Sequence, residues 1–554
     1  MEKIWLKEYS PGVPAEISFG AYRSLRDLIE ESFGRYADRP AYFNMGVAMS
    51  YRELDRLSSH LAAYLQQKAG LKKGDRFAIM LPNILQYPVA ICAALRAGFI
   101  VVNVNPLYSP RELKHQLVDS GATAILIMEN FAATLTEVID ATDIKTVITT
   151  EIGDLFPALK RLVTNFVVKR VKHMVPAFSF RSRVRFRDAL VAGAGLGMER
   201  PDLRPEDLAF LQYTGGTTGL AKGAMLSHRN MVSNVLQSSA WLGEGLSGQG
   251  LIAIAALPLY HIFSLEGNCL NVMHEGGSNV LITNPRDFPG FVREISHYKF
   301  GLFTGVNTLF NALLNTPGFE KLDFSGLKIT IGGGMAVQES VARRWKEVTG
   351  NTLTQAYGLT ETSPAAVINP LAEGLDFNRS IGLPISSTEI SIRDDDGNEV
   401  EAGEIGEICI RGPQVMEGYW NRPEETEKVM IGDWLRSGDM GRIDERGYVY
   451  VEDRKKDMIL VSGFNVYPNE IEDVVTLLDG VLEAAAVGKK DERSGEVVKL
   501  FVVRSDPGLT EDAILEHCRR NLTNYKRPKE IVFRDELPKT NVGKVLRRAL
   551  RDAA

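Results

Sequence analysis

Two rhythms of apolar and polar positions run along this chain, and they exchange near Ser387. Before it, helical and strand-like periods alternate. Tyr51-Arg-Glu-Leu-Asp-Arg-Leu-Ser-Ser-His-Leu-Ala-Ala-Tyr-Leu65 carries apolar residues at helical spacing. A polar turn, Gly74-Asp75-Arg76, precedes a strand pattern at Phe77–Leu81. A helix pattern over Tyr87–Ala97 and a second strand pattern at Ile100–Val104 follow. Strand–helix–strand repetition predicts βαβ units and mostly parallel sheets. After Ser387 the runs shorten to Glu389–Arg393, Gly406–Arg411 and Gly447–Glu452. Asp396-Gly397 serves as a hairpin signal between the first two. This predicts a small β-barrel-like subdomain over about 387–450. The charged run Asp453-Arg-Lys-Lys-Asp457 then leads into about a hundred residues of mixed helices and short strands, the size of a separate small domain.

Length and charge narrow the classes. At 554 residues the chain exceeds what one core supports. A net charge of −6 gives no support for a nucleic-acid partner. Cys92, Cys269, Cys409 and Cys518 show no metal spacing and read as thiols of a reducing, cytoplasmic compartment. The N-terminus mixes charge into its apolar residues, unlike a signal peptide. The most apolar region, Phe77 to Val104, is broken by Pro82, Asn83, Pro88 and Arg96, so no membrane span is expected. One segment stands out. Lys160 to Arg187 holds nine Lys/Arg and no Asp/Glu, with apolar residues interleaved. A solvated basic face is one reading. A loose contact with anionic lipid on the inner face of the membrane is the other.

The strongest chemical signal is Tyr213-Thr-Gly-Gly-Thr-Thr-Gly-Leu-Ala-Lys-Gly223. It follows a strand pattern at Leu208–Gln212. Gly215, Gly216 and Gly219, with the hydroxyls of Thr214, Thr217 and Thr218, suit an anion nest, and Gly223 suits close backbone approach to a ligand. Lys222 adds a compact cation. The Walker A pattern is not satisfied, because Gly223 and Ala224 follow the lysine. Tyr357-Gly-Leu-Thr-Glu361 combines a stacking face, a freed backbone at Gly358, the Thr360 hydroxyl and the Glu361 carboxylate, which suits Mg²⁺ held together with phosphate. A helix start is the plainer alternative. Gly332, Gly333 and Gly334 after a strand pattern offer close backbone approach, or an ordinary turn. Asp439, read as an exposed turn residue, and Arg454 suit a ribose or a salt bridge. Lys544, after Gly543, suits a mobile cation or a solvated lysine.

These motifs stand in the order and spacing of the acyl-adenylate-forming superfamily, which the chain resembles. Asp453–Glu472, Ala256–Phe263, Ile282–Asp287 and Gly305–Phe310 are similar to the bacterial long-chain fatty acid–CoA ligases. The resemblance implies an α/β fold. A large N-terminal domain of βαβ-type subdomains with the small β subdomain spans residues 1–453. A hinge at 454–457 with Lys456 as pivot joins it to a mobile small α+β domain at 458–554. It implies ATP, Mg²⁺ and coenzyme A, with AMP and pyrophosphate released. Thr214–Gly219 and Lys222 would hold phosphates, and Gly332–Gly334, Tyr357 and Gly358 would border adenine. Thr360 would contact phosphate and Glu361 Mg²⁺. Asp439 and Arg454 would hold ribose, Lys544 the acyl carboxylate and α-phosphate, and Gly463 and Phe464 the pantetheine channel. His261 would sit beside the acyl carboxylate or be a satisfied neutral histidine. The family pattern Gly-Trp-Leu-x-Thr-Gly-Asp is here Asp433-Trp-Leu-Arg-Ser-Gly-Asp439, and Ser437 keeps the hydroxyl. Medium-chain or aryl acids, and transfer to a carrier protein, are the alternatives. Acyl chain length and oligomeric state stay open, a homodimer among the options.

Overall fold

The computed structural model describes residues 3–20, 22–214, 221–243, 250–371, 376–491 and 493–552. Two large sheets carry the alternating part of the chain. One has seven strands, with Ala124–Met128, Arg76–Met80 and Ile100–Asn103 at its middle. It is parallel except where Leu208–Thr214 turns back on Lys222–Ser227 as an antiparallel hairpin. The other has nine strands, with Ile252–Ala255, Leu302–Gly305, Ile329–Gly333 and Leu353–Gly358 side by side and parallel.

The crossover helices begin and end where local chemistry dictates. Ser50 caps Tyr51–Gln67 by accepting the Glu53 N–H at 3.1 Å. Ser109 and Glu112 close a capping box on Pro110–Ser120, and Gly121 ends that helix in the left-handed region. Every residue of Gln86–Ala97 is buried, Arg96 included, which explains its nearly all-apolar sequence. Arg96 is tolerated there because Glu30, Asp55 and Ser58 meet its guanidinium. In the second core Phe303, Phe310 and Phe319 pack around the fully buried Trp345. Truncating such a residue costs about 3–5 kcal/mol.

The β subdomain is a five-stranded antiparallel sheet, and Asp394–Asn398 forms its expected tight turn. Its last strand is Val449–Arg454, beginning two residues later than the sequence pattern. Gly447 is held at φ 92 against Trp5 instead. Trp434–Asp439 lies within one strand, Trp434–Ile443. Beyond Arg454 a turn leads to Ile459–Val461, the first strand of a second five-stranded sheet. Glu530–Arg534 joins that sheet in parallel, and the helices Pro468–Thr476 and Glu511–Asn521 pack with it.

Candidate active site

The strand ends of the nine-stranded sheet, the β subdomain and the C-terminal unit converge on one cleft of about 1610 Å³. One end is charged and the other apolar. The C-terminal unit contributes Lys544 to the charged end. Gly543 adopts φ 85, and Thr308 Oγ1 donates to its carbonyl at 2.9 Å. A Cβ at this position would lie 2.8 Å from that hydroxyl, so glycine is required twice over. The loop is closed by Thr540 N–H on the Lys544 carbonyl at 2.7 Å. Lys544 Cε then lies against Gly334, itself at φ 77. Burial, aided by Arg454, pulls the Lys544 ammonium down to about 8, against the opposing charges of Asp439 and Glu361.

Asp439 overturns one expectation. It is 6% exposed and lies in a strand, where an exposed turn residue was expected. Its carboxylate accepts the Tyr357 hydroxyl at 2.7 Å and meets Arg454 Nε at 3.4 Å, because Asp439 and Arg454 are register partners. Tyr357 is thereby fixed at the cleft wall, and burial followed by Asp439 raises its phenol well above the ordinary value. Thr360 and Glu361 follow in a short 3₁₀ turn. Glu361 Oε1 accepts the Tyr419 hydroxyl at 2.6 Å. Gly358 is needed for packing, since a Cβ there would strike the Pro364 carbonyl.

Lys222 and Thr214 are register partners at the loop end of their hairpin. Gly215, Gly216, Thr217, Thr218 and Gly219 lie outside the described residues. Lys222 Nζ sits 4.6 Å from the centre of the Tyr419 ring and 2.8 Å from Glu425, which hydrogen bonding to Lys222 and Lys428 holds down at about 2. Gly223 packs beneath the Tyr213 ring, 3.1 Å from where its Cβ would be, so its smallness serves this ring where approach to a ligand was expected.

Gly333 and Gly334 line the cleft, while Gly332 is buried behind them against Leu353 and Val337. His261 also lines it. Its Nδ1 accepts the Phe263 N–H at 3.4 Å, and burial followed by Lys544 lowers the ring to about 3. A neutral ring accepting at Nδ1 carries its proton on Nε2, ready to donate. Lys456 lines the cleft, lowered mainly by burial. Gly463 and Phe464 stand outside this cleft at a hairpin, where Phe464 stacks on Tyr525 at 4.7 Å.

Family patterns match across both units. That of the AMP-binding enzyme covers residues 29–420, and that of its C-terminal domain covers residues 470–544. The chain belongs to the AMP-binding enzyme family. Relatives of this AMP-binding enzyme include the long-chain-fatty-acid–CoA ligase of Escherichia coli O157:H7, 56% identical over all of this chain and 99% of that one. That of Haemophilus influenzae is 52% identical over all of this chain and 98% of its own. The crystal structure of the anthranilate CoA ligase AuaEII with anthranoyl-AMP shares the fold, with a TM-score of 0.85 at 24% identity, covering 96% of this chain and 97% of that one.

The sequence did not reveal Tyr419, which touches both Glu361 and Lys222. It also hid the role of Arg547, whose guanidinium joins Asp453 at 3.0 Å, Glu472 at 2.7 Å and Asn469 at 2.6 Å. Asp453, which the sequence shows only as part of a charged run, is 1% exposed for that reason. Among the described residues no cluster of three or more His, Cys, Asp or Glu could hold a metal by itself.

Proposed function

We infer that this chain is an ATP-dependent long-chain fatty acid–CoA ligase working through an acyl-adenylate. The observation that carries the reading is full-length identity of 56% to such a ligase, together with a cleft that joins a cationic end to an apolar arm. The apolar arm is bordered by Leu242, Phe263, Leu302, Ile331, Ile368 and Phe377.

The chemistry follows from the charges. A carboxylate is a poor acyl donor because its leaving group would be oxide. Its oxygen therefore attacks the α-phosphorus of ATP, forming a C–O–P link while the bond to pyrophosphate breaks. Two anions must meet for this, and Lys544 supplies the opposing charge at the point where negative charge gathers. His261 donates an Nε2–H hydrogen bond to the acyl carboxylate and keeps its proton. Asp439 and Arg454 orient the ribose, and Tyr357 with Gly333 and Gly334 borders the adenine. Thr214 through Gly219 and Lys222 cradle the phosphates. Mg²⁺ suits Glu361 and Thr360, because a lone carboxylate beside a hydroxyl is a donor set Mg²⁺ completes with phosphate oxygens. When bound, Mg²⁺ neutralises phosphate charge. In the second step the CoA thiolate attacks the acyl carbon and AMP leaves. Lys544 has no role there, so the C-terminal unit turns about 454–457, with Lys456 as pivot and Gly463 and Phe464 brought to the pantetheine channel. Initial rates of AMP release with saturated acids of graded length test the reading. Turnover confined to short or aryl acids would sink it.

The basic segment acts as a membrane contact in this reading. No described helix is long and apolar enough to cross a membrane. The helix Ala158–Phe166 has no buried residue, and Leu159 and Phe166 are 77% and 62% exposed on its apolar face beside Leu162 and Val163. The charge count needs correction, however. Glu129 pairs with Lys169 and Arg183, each at 2.9 Å, so the single sign of the sequence is partly offset in space. Apolar insertion adds to the remaining charge, and Leu162→Ser with Phe166→Ser should lower co-sedimentation with anionic vesicles. Unchanged sedimentation of that double variant would make the face merely solvated.

A further inference from the structure

The apolar arm contains two polar atoms that nothing satisfies. Glu266 and Asn271 lie on the segment that continues from His261, and both line the cleft. Glu266 is 3% exposed and Asn271 1%. Glu266 Oε1 and Asn271 Oδ1 have no hydrogen-bond partner. Among the described residues six buried side-chain atoms share that condition, and these two are the ones on the cleft.

Their polar neighbours are not in the same state. Ser264 and Thr304 both donate to Asn268, at 3.1 and 2.8 Å. Asn268 in turn accepts from Asn279 at 2.9 Å through its carbonyl. The same segment can therefore pair its polar groups, and does so at Asn268, within one turn. An unpaired buried acceptor costs about 1–3 kcal/mol, and it is retained where a ligand completes it. Burial pushes the Glu266 carboxyl up to about 8, against Ser238 and Asn271, so near neutral pH it keeps its proton and can donate as well as accept.

We propose that the acyl arm recognises fatty acids bearing a hydroxyl on the chain, held between Glu266 and Asn271. The hydroxyl donates to one unfilled oxygen and accepts from the protonated carboxyl. Its place follows from the helix. Glu266 stands five residues beyond His261, about 7 Å along the axis, so the group sits a short way in from the carboxylate and not at the methyl end. A plain acid fills the same arm but leaves both oxygens unpaired. The proposal rests on the ligase reading and names its substrate class.

The test compares hexadecanoic acid with monohydroxyhexadecanoic acids whose hydroxyl is moved along the chain, measured on one preparation of the full enzyme. The ratio of kcat/KM, hydroxy over plain, is independent of how much enzyme is active. It should peak at one position in the carboxylate-proximal part of the chain. Glu266→Leu should lower the peak about tenfold or more, since the hydroxyl is then buried without partner. Asn271→Leu should lower it in the same direction, and Glu266→Gln, which keeps both hydrogen-bonding roles, should retain the peak. A flat ratio along the series overturns the proposal, as does a peak that survives both leucine variants. If the parent adenylates no long-chain acid at all, the ligase reading falls first. Turnover of plain acid without discrimination overturns this inference alone.

Discussion

The two ends of the cleft treat buried charge in opposite ways. At the adenylating end four acidic groups have partners from elsewhere in the chain. Asp439 holds Tyr357 and Arg454, Glu361 holds Tyr419, and Asp453 and Glu472 share Arg547. In the acyl arm Glu266 has an oxygen with no partner. Desolvation acts on both ends. Where a cation is near, it offsets that cost. Where none is near, the carboxyl keeps its proton. A buried glutamate thus meets a cation at one end, as Glu472 meets Arg547, and none at the other, where Glu266 lies.

Removing a cation should break the paired end most severely. Arg547→Leu leaves Asp453 and Glu472 buried without their counter-charge, a loss of about 3–5 kcal/mol. The urea midpoint of the C-terminal transition should fall accordingly, and an unchanged midpoint would show that the network is idle.

Lys544→Ala should slow adenylation by on the order of 3 kcal/mol of barrier while sparing thioester formation from supplied acyl-adenylate. In the parent, adenylation should decline as pH rises through about 8, because the ammonium is lost there. The thioester half-reaction should not follow that decline. Equal losses in both halves would end the alternating role of this lysine.

Glu266 sharpens the contrast through stability. Its folded carboxyl holds a proton up to about 8, whereas an ordinary carboxyl releases it near 4.5. The folded state therefore binds more protons between those values and loses stability as pH rises through them. Glu266→Gln removes that loss, so its advantage over the parent should grow by on the order of 2 kcal/mol between pH 5 and about pH 6.5. Parallel pH–stability curves would mean that the carboxyl is solvated.

The smallest effect belongs to Tyr419→Phe, which takes one hydrogen bond from Glu361. A cost of about 1.5 kcal/mol in the adenylation barrier corresponds to roughly a tenfold slower rate with a higher Mg²⁺ requirement. An unaltered metal titration would separate Glu361 from the metal.

Much of the architecture was legible because it is written in short-range periods. The helix at Tyr51–Gln67, the strands at Arg76–Met80 and Ile100–Asn103 and the tight turn at Asp394 follow from spacing, caps and turn residues. The Tyr357–Glu361 run, which lines the cleft, was visible too, since it concentrates its polar groups in a few consecutive residues. Asp439 was misjudged because register, and not its neighbours Gly438 and Ser437, decides its burial. Two cations of the basic run at 160–187 are met by Glu129 from outside that run, which the local sequence does not show.

The sequence by itself determined the element order, the change from parallel to antiparallel sheets and the family of chemistry, because hydrophobic period and local motifs need no distant partner. Tertiary structure alone decided which charges are paired. It brought Arg547 to Asp453 and Thr308 to Gly543, and it left Glu266 in an apolar arm. Protonation depends on distance to the nearest opposite charge and on exclusion of water, and both are set by residues far apart in the chain.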